Sequence, residues 1–120
     1  MLQLTPHMKL LLAIEPADFR KGIDALVALC QQQLKHDPFS GCIFAFRNGT
    51  KTSVKLLVYD GTGFWLCLKR FSQGRLKWWP QSLNTVQSIT PTALQILLSQ
   101  GDPSHARLAL DWRPITPPTD

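Results

Sequence analysis

Three closely spaced turn signals constrain the fold of this chain more than any other feature. Each signal contains residues that favour turns, such as Gly, Asn and Asp. The three signals are Asn48-Gly49, Asp60-Gly61-Thr62-Gly63 and Ser72-Gln73-Gly74. The turns separate four short apolar segments with the length and alternation of β-strands, at 42–47, 54–59, 64–71 and 75–79. Short connections join antiparallel neighbours, so the sequence predicts a four-stranded β-meander.

Helical and strand signals flank this meander. Residues 9–14 form a short apolar run that predicts a buried strand. Asp18 is predicted to cap an amphipathic helix over residues 19–36, which ends at Asp37-Pro38. Residues 81–89 are polar and predicted to be irregular. Thr90-Pro91 then predicts the start of a second helix, which stops at Gly101.

Taken together, these elements predict a single α+β domain over residues 1–113. We expect an antiparallel sheet of about four to six strands, with two main helices packed on one face. The chain has 120 residues, of which 44% are hydrophobic, enough for one compact core. Alternation at Leu108, Leu110 and Trp112 predicts a strand at a sheet edge. Residues 114–120 contain three prolines and are predicted to form a flexible tail.

The positive charge is concentrated in the same segment as the meander. Residues 47–79 contain seven of the thirteen basic side chains and one acid, Asp60, a net charge of +6. The rest of the chain has six bases and seven acids, a net charge of −1. This balance favours an acidic partner, and nucleic acid before a membrane surface.

Alternation along the strands predicts how the side chains divide between the two faces of the meander. One face is predicted to be apolar and to pack on the helices, with Val54, Leu56, Val58, Phe64, Leu66, Leu68, Leu76 and Trp78. The opposite face is predicted to gather cations and rings, with Lys55, Tyr59, Trp65, Lys69, Arg75, Lys77 and Trp79. This assignment assumes hairpin registers that keep each set together, because a slip of one residue would separate them.

The cation-rich face permits three interpretations. As a nucleic-acid platform, its cations would neutralise phosphates while Tyr59, Trp65 and Trp79 stacked on bases. As an interface for another protein or a second copy of the chain, the same rings would act as anchors. As an ordinary outer face, the lysines would only keep a sheet edge soluble.

The sequence offers little to support catalysis or metal binding. The three histidines are dispersed and the acids scattered, so no carboxylate cluster for two metal ions is visible, and no phosphate-binding loop or nucleophile motif occurs. Cys30, Cys42 and Cys67 lack metal-site spacing. We therefore expect no enzyme activity, no catalytic residues, no metal and no cofactor. With no membrane span or targeting signal visible, we expect a cytoplasmic protein.

Several short motifs, in order, resemble the Orf2-like (TnpB-type) accessory proteins of the insertion-sequence-66 family. They extend over about residues 3–100 and are DFRKG at 18–22, DPFSG at 37–41, FAFR at 44–47, Lys55 with Leu56, YDGTG at 59–63, KRF at 69–71, GRLK at 74–77 and Trp79-Pro80. Many members have Met or a similar residue at the position of Phe19, glutamate near Ser72-Gln73, and one tryptophan where this chain has Trp78-Trp79. These departures leave the resemblance intact.

The resemblance implies a protein encoded by a bacterial mobile element that assists transposition, a form of DNA recombination, beside a separate catalytic transposase. From the basic side chains we expect DNA as the partner, and the expected DNA-binding residues are Arg20, Lys21, Arg47, Lys55, Lys69, Arg70, Arg75 and Lys77. The alternative is a module that binds the transposase or another protein of the same element, and a homo-oligomer is compatible with either.

Arg20 and Lys21 are unusual because they occupy the predicted first helical turn, where cations oppose the helix dipole. We expect them to contact an anion or an acidic partner. The alternative is a salt bridge to Asp24, one turn further along.

Overall fold

The computed structural model describes residues 8–104, which form a five-stranded sheet and two helices. In chain order these are β1 Leu10–Ala13, α1 Ile23–Gln32, β2 Ile43–Arg47, β3 Ser53–Tyr59, β4 Phe64–Arg70, β5 Val86–Ile89 and α2 Pro91–Leu98. The α+β class and the expected strand number are confirmed. The predicted strand around Leu108 to Trp112 and the predicted tail at 114–120 lie outside the described residues, and the domain boundary at 113 stays a prediction.

The sheet is mixed, with strand order β4-β3-β2-β1-β5. β2, β3 and β4 pair as antiparallel neighbours and form the predicted meander. β1 pairs in parallel with β2, and α1 provides the crossover between them. β5 pairs antiparallel with the other side of β1, so β4 and β5 are the sheet edges.

Helices cover both faces of this sheet, so the prediction of two helices on one face is wrong. On the α1 face, Leu26 and Cys30 of α1 pack with Phe44, Phe46 and Leu57. On the α2 face, a separate core joins α2 to alternate residues of the strands, with Leu94, Leu97, Leu12, Ile43, Val54 and Leu56. The physical reason is that β1 to β3 are apolar at successive positions, and such strands are stable only when both faces are covered.

The first helix is shorter than predicted. α1 begins at Ile23 with Gly22 as its N-cap, so Arg20 and Lys21 precede the helix. Asp18 does not cap it, because its carboxylate instead accepts a hydrogen bond from the Arg20 backbone N–H at 3.0 Å. The second helix agrees with its signals, since the Thr90 hydroxyl accepts a hydrogen bond from the Ala93 N–H and Pro91 follows at the first helical position.

Two strand predictions in the second half of the chain are wrong. Residues 75–79 form a loop rather than a strand, because Trp79 turns into the α2-face core and its indole N–H donates to the Ala13 carbonyl at 2.9 Å. Residues 86–89 form β5, although their sequence is mostly polar. A half-exposed edge strand carries a weak apolar signal, and pairing with buried β1 supplies what the local pattern lacks.

The register of β3 with β4 differs by one residue from the predicted arrangement. Tyr59 pairs with Phe64 and Val58 with Trp65, so Val54, Leu56 and Val58 share the α2 face with Trp65, Cys67 and Lys69. Lys55, Leu57 and Tyr59 instead share the α1 face with Phe64, Leu66 and Leu68. The predicted collection of cations and rings on one face is therefore wrong, since Lys55 and Tyr59 lie opposite Trp65 and Lys69.

The turn at residues 60–63 holds this register. The Asp60 carboxylate accepts hydrogen bonds from the Thr62 N–H at 2.9 Å and the Gly63 N–H at 3.0 Å. The Trp65 indole N–H also donates to Asp60, at 2.7 Å. These donors favour the ionised carboxylate and lower the pKa of Asp60 to about 2. Gly61 has φ of 101°, a backbone conformation that residues with a Cβ atom rarely adopt.

Replacing a fully buried ring of the α1-face core should strongly destabilise the fold. Phe44→Ala removes a side chain buried under α1, and we expect a loss of about 3–5 kcal/mol in the free energy of unfolding. Leu83→Ala is the control, because Leu83 is 106% exposed and its loss should change stability by less than about 0.5 kcal/mol. Urea denaturation measures both, and equal effects would contradict the assigned core.

Candidate nucleic-acid interface

Six cations from separate parts of the meander segment gather at one end of the sheet. At this end β2 finishes, the hairpin at 48–52 leads into β3, and β4 finishes beside it. The loop after β4 folds back on the hairpin, with Phe71 N–H donating to Thr52 O at 3.0 Å and Leu76 N–H to Lys51 O at 2.8 Å. We call this surface the basic end and define it as Arg47, Lys51, Lys69, Arg70, Arg75 and Lys77.

Three cations of the basic end are free to bind a ligand. Arg70, Arg75 and Lys77 are exposed, and within residues 8–104 their charged groups have no hydrogen-bond or ion-pair partner. Lys69 is also exposed, but its ammonium donates to the Leu98 carbonyl at 2.7 Å and so caps the C-terminus of α2. Unpaired cations that project into solvent can neutralise phosphates without breaking an internal contact.

Arg47 and Lys51 line a surface pocket of about 280 Å³ beside this end, together with Glu15 and residues 79–82. One Arg47 N–H donates to the Asn48 carbonyl at 3.1 Å. The Nε of Arg47 is buried and has no hydrogen-bond partner among the residues described. The pocket therefore contains a guanidinium whose hydrogen-bonding capacity is largely unused.

Lys55 is a structural residue, so its predicted contact with DNA is wrong. Only 8% of its surface is exposed, and its ammonium lies 4.8 Å from the centre of the Phe19 ring. It donates to the carbonyls of Phe19 at 2.9 Å and Lys21 at 3.1 Å. A buried cation needs such partners, and here they tie the segment before α1 to the sheet.

Arg20 and Lys21 extend from the segment that Lys55 holds. The Arg20 guanidinium forms an ion pair with Asp18 at 2.8 Å, so the alternative of a salt bridge to Asp24 is wrong for Arg20. The side-chain hydrogen bond lowers the pKa of Asp18 to about 2 and raises that of Arg20. Lys21 is exposed. Anion contact by this pair stays a prediction, and the Asp18 carboxylate would compete for Arg20.

The predicted stacking rings are not brought together. Trp79 is only 6% exposed and cannot receive a base, so this prediction is wrong. Tyr59 packs against Phe39 and Phe64 at centroid distances of 4.9 and 5.0 Å on the α1 face. Trp65 is 59% exposed but belongs to the α2 face, with its indole bound to Asp60. One exposed ring therefore remains from the predicted set.

The open edge of β4 is a second candidate surface, with one exposed apolar side chain on each face of the sheet. Trp65 and Leu68 are about 60% exposed, and the strand has no neighbour beyond β3 within the described sheet. Alternation along β4 predicts that Leu68 is buried, which is wrong, and the predicted site leaves out Lys51. The signal for Lys51 was its place in the hairpin, next to the end of β2.

Metal binding would need a cluster of His, Cys, Asp or Glu side chains. Among residues 8–104, no group of three or more His, Cys, Asp or Glu side chains is placed to hold a metal ion. Burial raises the pKa of the Cys30 thiol to about 12, which makes it a poor nucleophile.

In the part of the chain that the structure describes, neither helix has the length and apolar character needed to cross a bilayer.

Comparison with known proteins relates nearly the whole chain to one family. The family model described as "IS66 Orf2 like protein" matches residues 8–107. An uncharacterized protein y4hO of Sinorhizobium fredii is 32% identical over 95% of this chain and 96% of its own length. A second uncharacterized protein of that organism, y4jC, is 28% identical over 93% and 92% of the two chains. No solved structure gives a significant match.

The structural role of Lys55 can be separated from any role in binding. Lys55→Met keeps the apolar stem but leaves two carbonyls without their donor, so we expect a loss of about 1–3 kcal/mol in the free energy of unfolding. Lys77→Met removes the same charge from an exposed position and should cost less than about 0.5 kcal/mol. Chemical denaturation compares them, and an unchanged Lys55→Met protein would contradict the assignment.

Proposed function

This chain belongs to the family of IS66 Orf2-like proteins, and on that premise we propose that it is a non-catalytic accessory factor that binds DNA through the basic end. The family associates the chain with transposition of an insertion sequence. DNA binding is the specific activity that we add, and such a factor would act in the cytoplasm on the DNA of the element.

The observation that carries this proposal is the convergence of cations at the basic end. The chain's one highly basic segment is folded so that β2, β3, β4 and the loop after β4 bring its charges to one end of the sheet. Arg70, Arg75 and Lys77 are exposed there without protein partners in residues 8–104. Asp60, the acid of this segment, lies at the opposite end of β3 and cannot neutralise them.

The arrangement favours contact with the sugar–phosphate backbone over reading of bases. Trp79 is buried and Tyr59 is packed in an aromatic cluster, so the basic end offers charges with few stacking surfaces. Phosphate contacts position a protein on DNA but carry no sequence information. We therefore infer binding with weak sequence preference, with specificity supplied by another component of the element.

Charge reversal at the basic end should abolish DNA binding. Binding of a duplex to the wild type should weaken steeply between about 50 and 200 mM salt, because phosphate contacts release counterions. The double variant Arg70→Glu/Arg75→Glu should lower affinity by at least about a hundredfold at low salt. Fluorescence anisotropy with end-containing and random duplexes measures both effects.

A matched control changes the same charge at the other end of the sheet. Lys9 directly precedes β1, so it is exposed at the opposite end of the sheet from Arg47. Lys9→Glu should therefore keep most of the affinity, whereas the matched single variant Arg75→Glu should lose about tenfold or more. Equal losses in the two single variants would show that net charge alone drives binding. Absence of wild-type binding at low salt would sink the proposal.

Binding to another protein of the same element is the second candidate function. The observation that favours it is the open edge of β4, with Trp65 and Leu68 exposed beside unpaired backbone groups. An exposed edge strand can pair with an extended segment of a partner, and aromatic side chains anchor such contacts. The transposase, a sibling accessory protein or a second copy of this chain are the partners to test.

The edge surface can be tested without unfolding the protein. Leu68→Ser removes an exposed apolar side chain from β4, and we expect about tenfold weaker capture of the transposase, with little effect of salt. Leu83→Ser is the matched control, since it removes an equally large exposed leucine away from the edge. Light scattering checks self-association, and identical binding by both variants would exclude β4 as the interface.

A further inference from the structure

We propose that the pocket lined by Arg47 and Lys51 is a phosphate-binding site. The inference deepens the proposed function. Only one part of it rests on DNA binding, namely that the phosphate belongs to DNA. Its own basis is the geometry of the pocket and the unused hydrogen-bonding capacity of Arg47. We call it the Arg47 pocket, and its lining residues are Ile14, Glu15, Arg47, Lys51, Trp79, Pro80, Gln81 and Ser82.

The walls of the Arg47 pocket are fixed by long-range contacts. The Ala17 N–H donates to the Arg47 carbonyl at 2.9 Å, which joins the segment after β1 to the end of β2. The buried Trp79 indole donates to the Ala13 carbonyl at 2.9 Å, which fixes another of the lining residues. The pocket measures about 280 Å³, several times the roughly 30 Å³ share of one water, so a phosphate group fits with its hydration.

Arg47 supplies donors that the described protein does not use. A guanidinium has five N–H groups, and one of them donates to the Asn48 carbonyl. The Nε–H is buried without an acceptor within residues 8–104. A buried charged donor without an acceptor is unfavourable, and such groups in folded proteins usually meet water or an ion. The pocket is lined by the same residue, so an anion there would bind the remaining N–H groups of Arg47 and would offset the charge of the guanidinium.

The other polar residues of the pocket decide the chemical class of the anion. The fork of a guanidinium matches two oxygens of phosphate, and the Lys51 ammonium adds a second positive charge on the same cavity. Ser82 and Gln81, which also line the pocket, offer further neutral donors. A tetrahedral oxyanion uses donors from several directions, which a planar carboxylate does less well.

Glu15 is the acid that opposes an anion in this pocket. It is exposed, and among the residues described it forms no ion pair with Arg47 or Lys51. Its carboxylate therefore repels the ligand without blocking the cations, and it tunes affinity downward. This arrangement gives a variant that should improve binding, which a nonspecific loss of structure cannot do.

The test is an NMR titration of the ¹⁵N-labelled full chain with inorganic phosphate, against chloride at the same ionic strength. We expect the Arg47 Nε–H resonance and the Lys51 and Ser82 amides to shift together with a single saturable affinity. Arg47→Gln should weaken that affinity by about tenfold or more. Arg75→Gln removes a cation outside the pocket and should leave it unchanged. Equal weakening by both would overturn the assignment.

Two further variants keep the proposal testable if Arg47→Gln does not fold. Lys51→Gln lies in the hairpin and should weaken phosphate binding by about tenfold. Glu15→Gln removes the repelling carboxylate and should strengthen it several-fold. Unchanged binding in both variants, or shifts confined to Arg70, Arg75 and Lys77, would contradict a site in the Arg47 pocket.

Two DNA probes then identify the source of the phosphate and separate this proposal from DNA binding itself. Tighter binding of a 5′-phosphorylated duplex than of its 5′-hydroxyl equivalent would assign the pocket to a terminal phosphate. If the two duplexes bind equally and Lys51→Gln weakens the binding of both, the pocket would be assigned to a backbone phosphate. Phosphate binding without DNA binding would support the pocket and contradict the proposed function. DNA binding that neither Arg47→Gln nor Lys51→Gln alters would support the proposed function and contradict the phosphate site in the pocket.

Discussion

The pairing of Tyr59 with Phe64 across the turn at 60–63 sets the register of β3 with β4, and this register decides which face of the sheet each β4 side chain occupies. The Asp60 carboxylate holds that turn by accepting hydrogen bonds from Thr62 and Gly63. A change of one residue would move every β4 side chain to the other face. With the observed register, Lys69 lies on the α2 face, where its ammonium reaches the Leu98 carbonyl, and Leu68 lies on the α1 face.

Much of the fold was predictable because its signals are local. The turn dipeptides located β2, β3 and β4 to within a residue or two, and Thr90-Pro91 located the start of α2. What failed depended on contacts between distant segments. β5 forms because its backbone pairs with the free side of β1. Residues 75–79 leave the sheet because Trp79 is buried in the core and donates to the Ala13 carbonyl. Neither contact is visible in local periodicity.

The candidate site was predictable in composition but not in geometry. The excess of cations in residues 47–79 is visible in the sequence, and Arg70, Arg75 and Lys77 of this segment are exposed. These side chains lie close together because the end of β4 and the loop after it meet at one end of the sheet, and not because they share a face of the sheet. From sequence alone, a lysine in a strand is predicted to be exposed. Lys55 is buried instead, because its ammonium donates to two loop carbonyls and lies over the Phe19 ring.

The central claim is that this protein contacts DNA with one end of its sheet, and mapping the contact by NMR tests it most directly. Backbone amide shifts of the ¹⁵N-labelled chain would be recorded during titration with a duplex at low salt. The account predicts that shifts concentrate at residues 47–53 and 69–77, with residues 60–63 and 9–10 unaffected. Shifts centred on α1 or on the turn at 60–63, or no shifts at all, would contradict it.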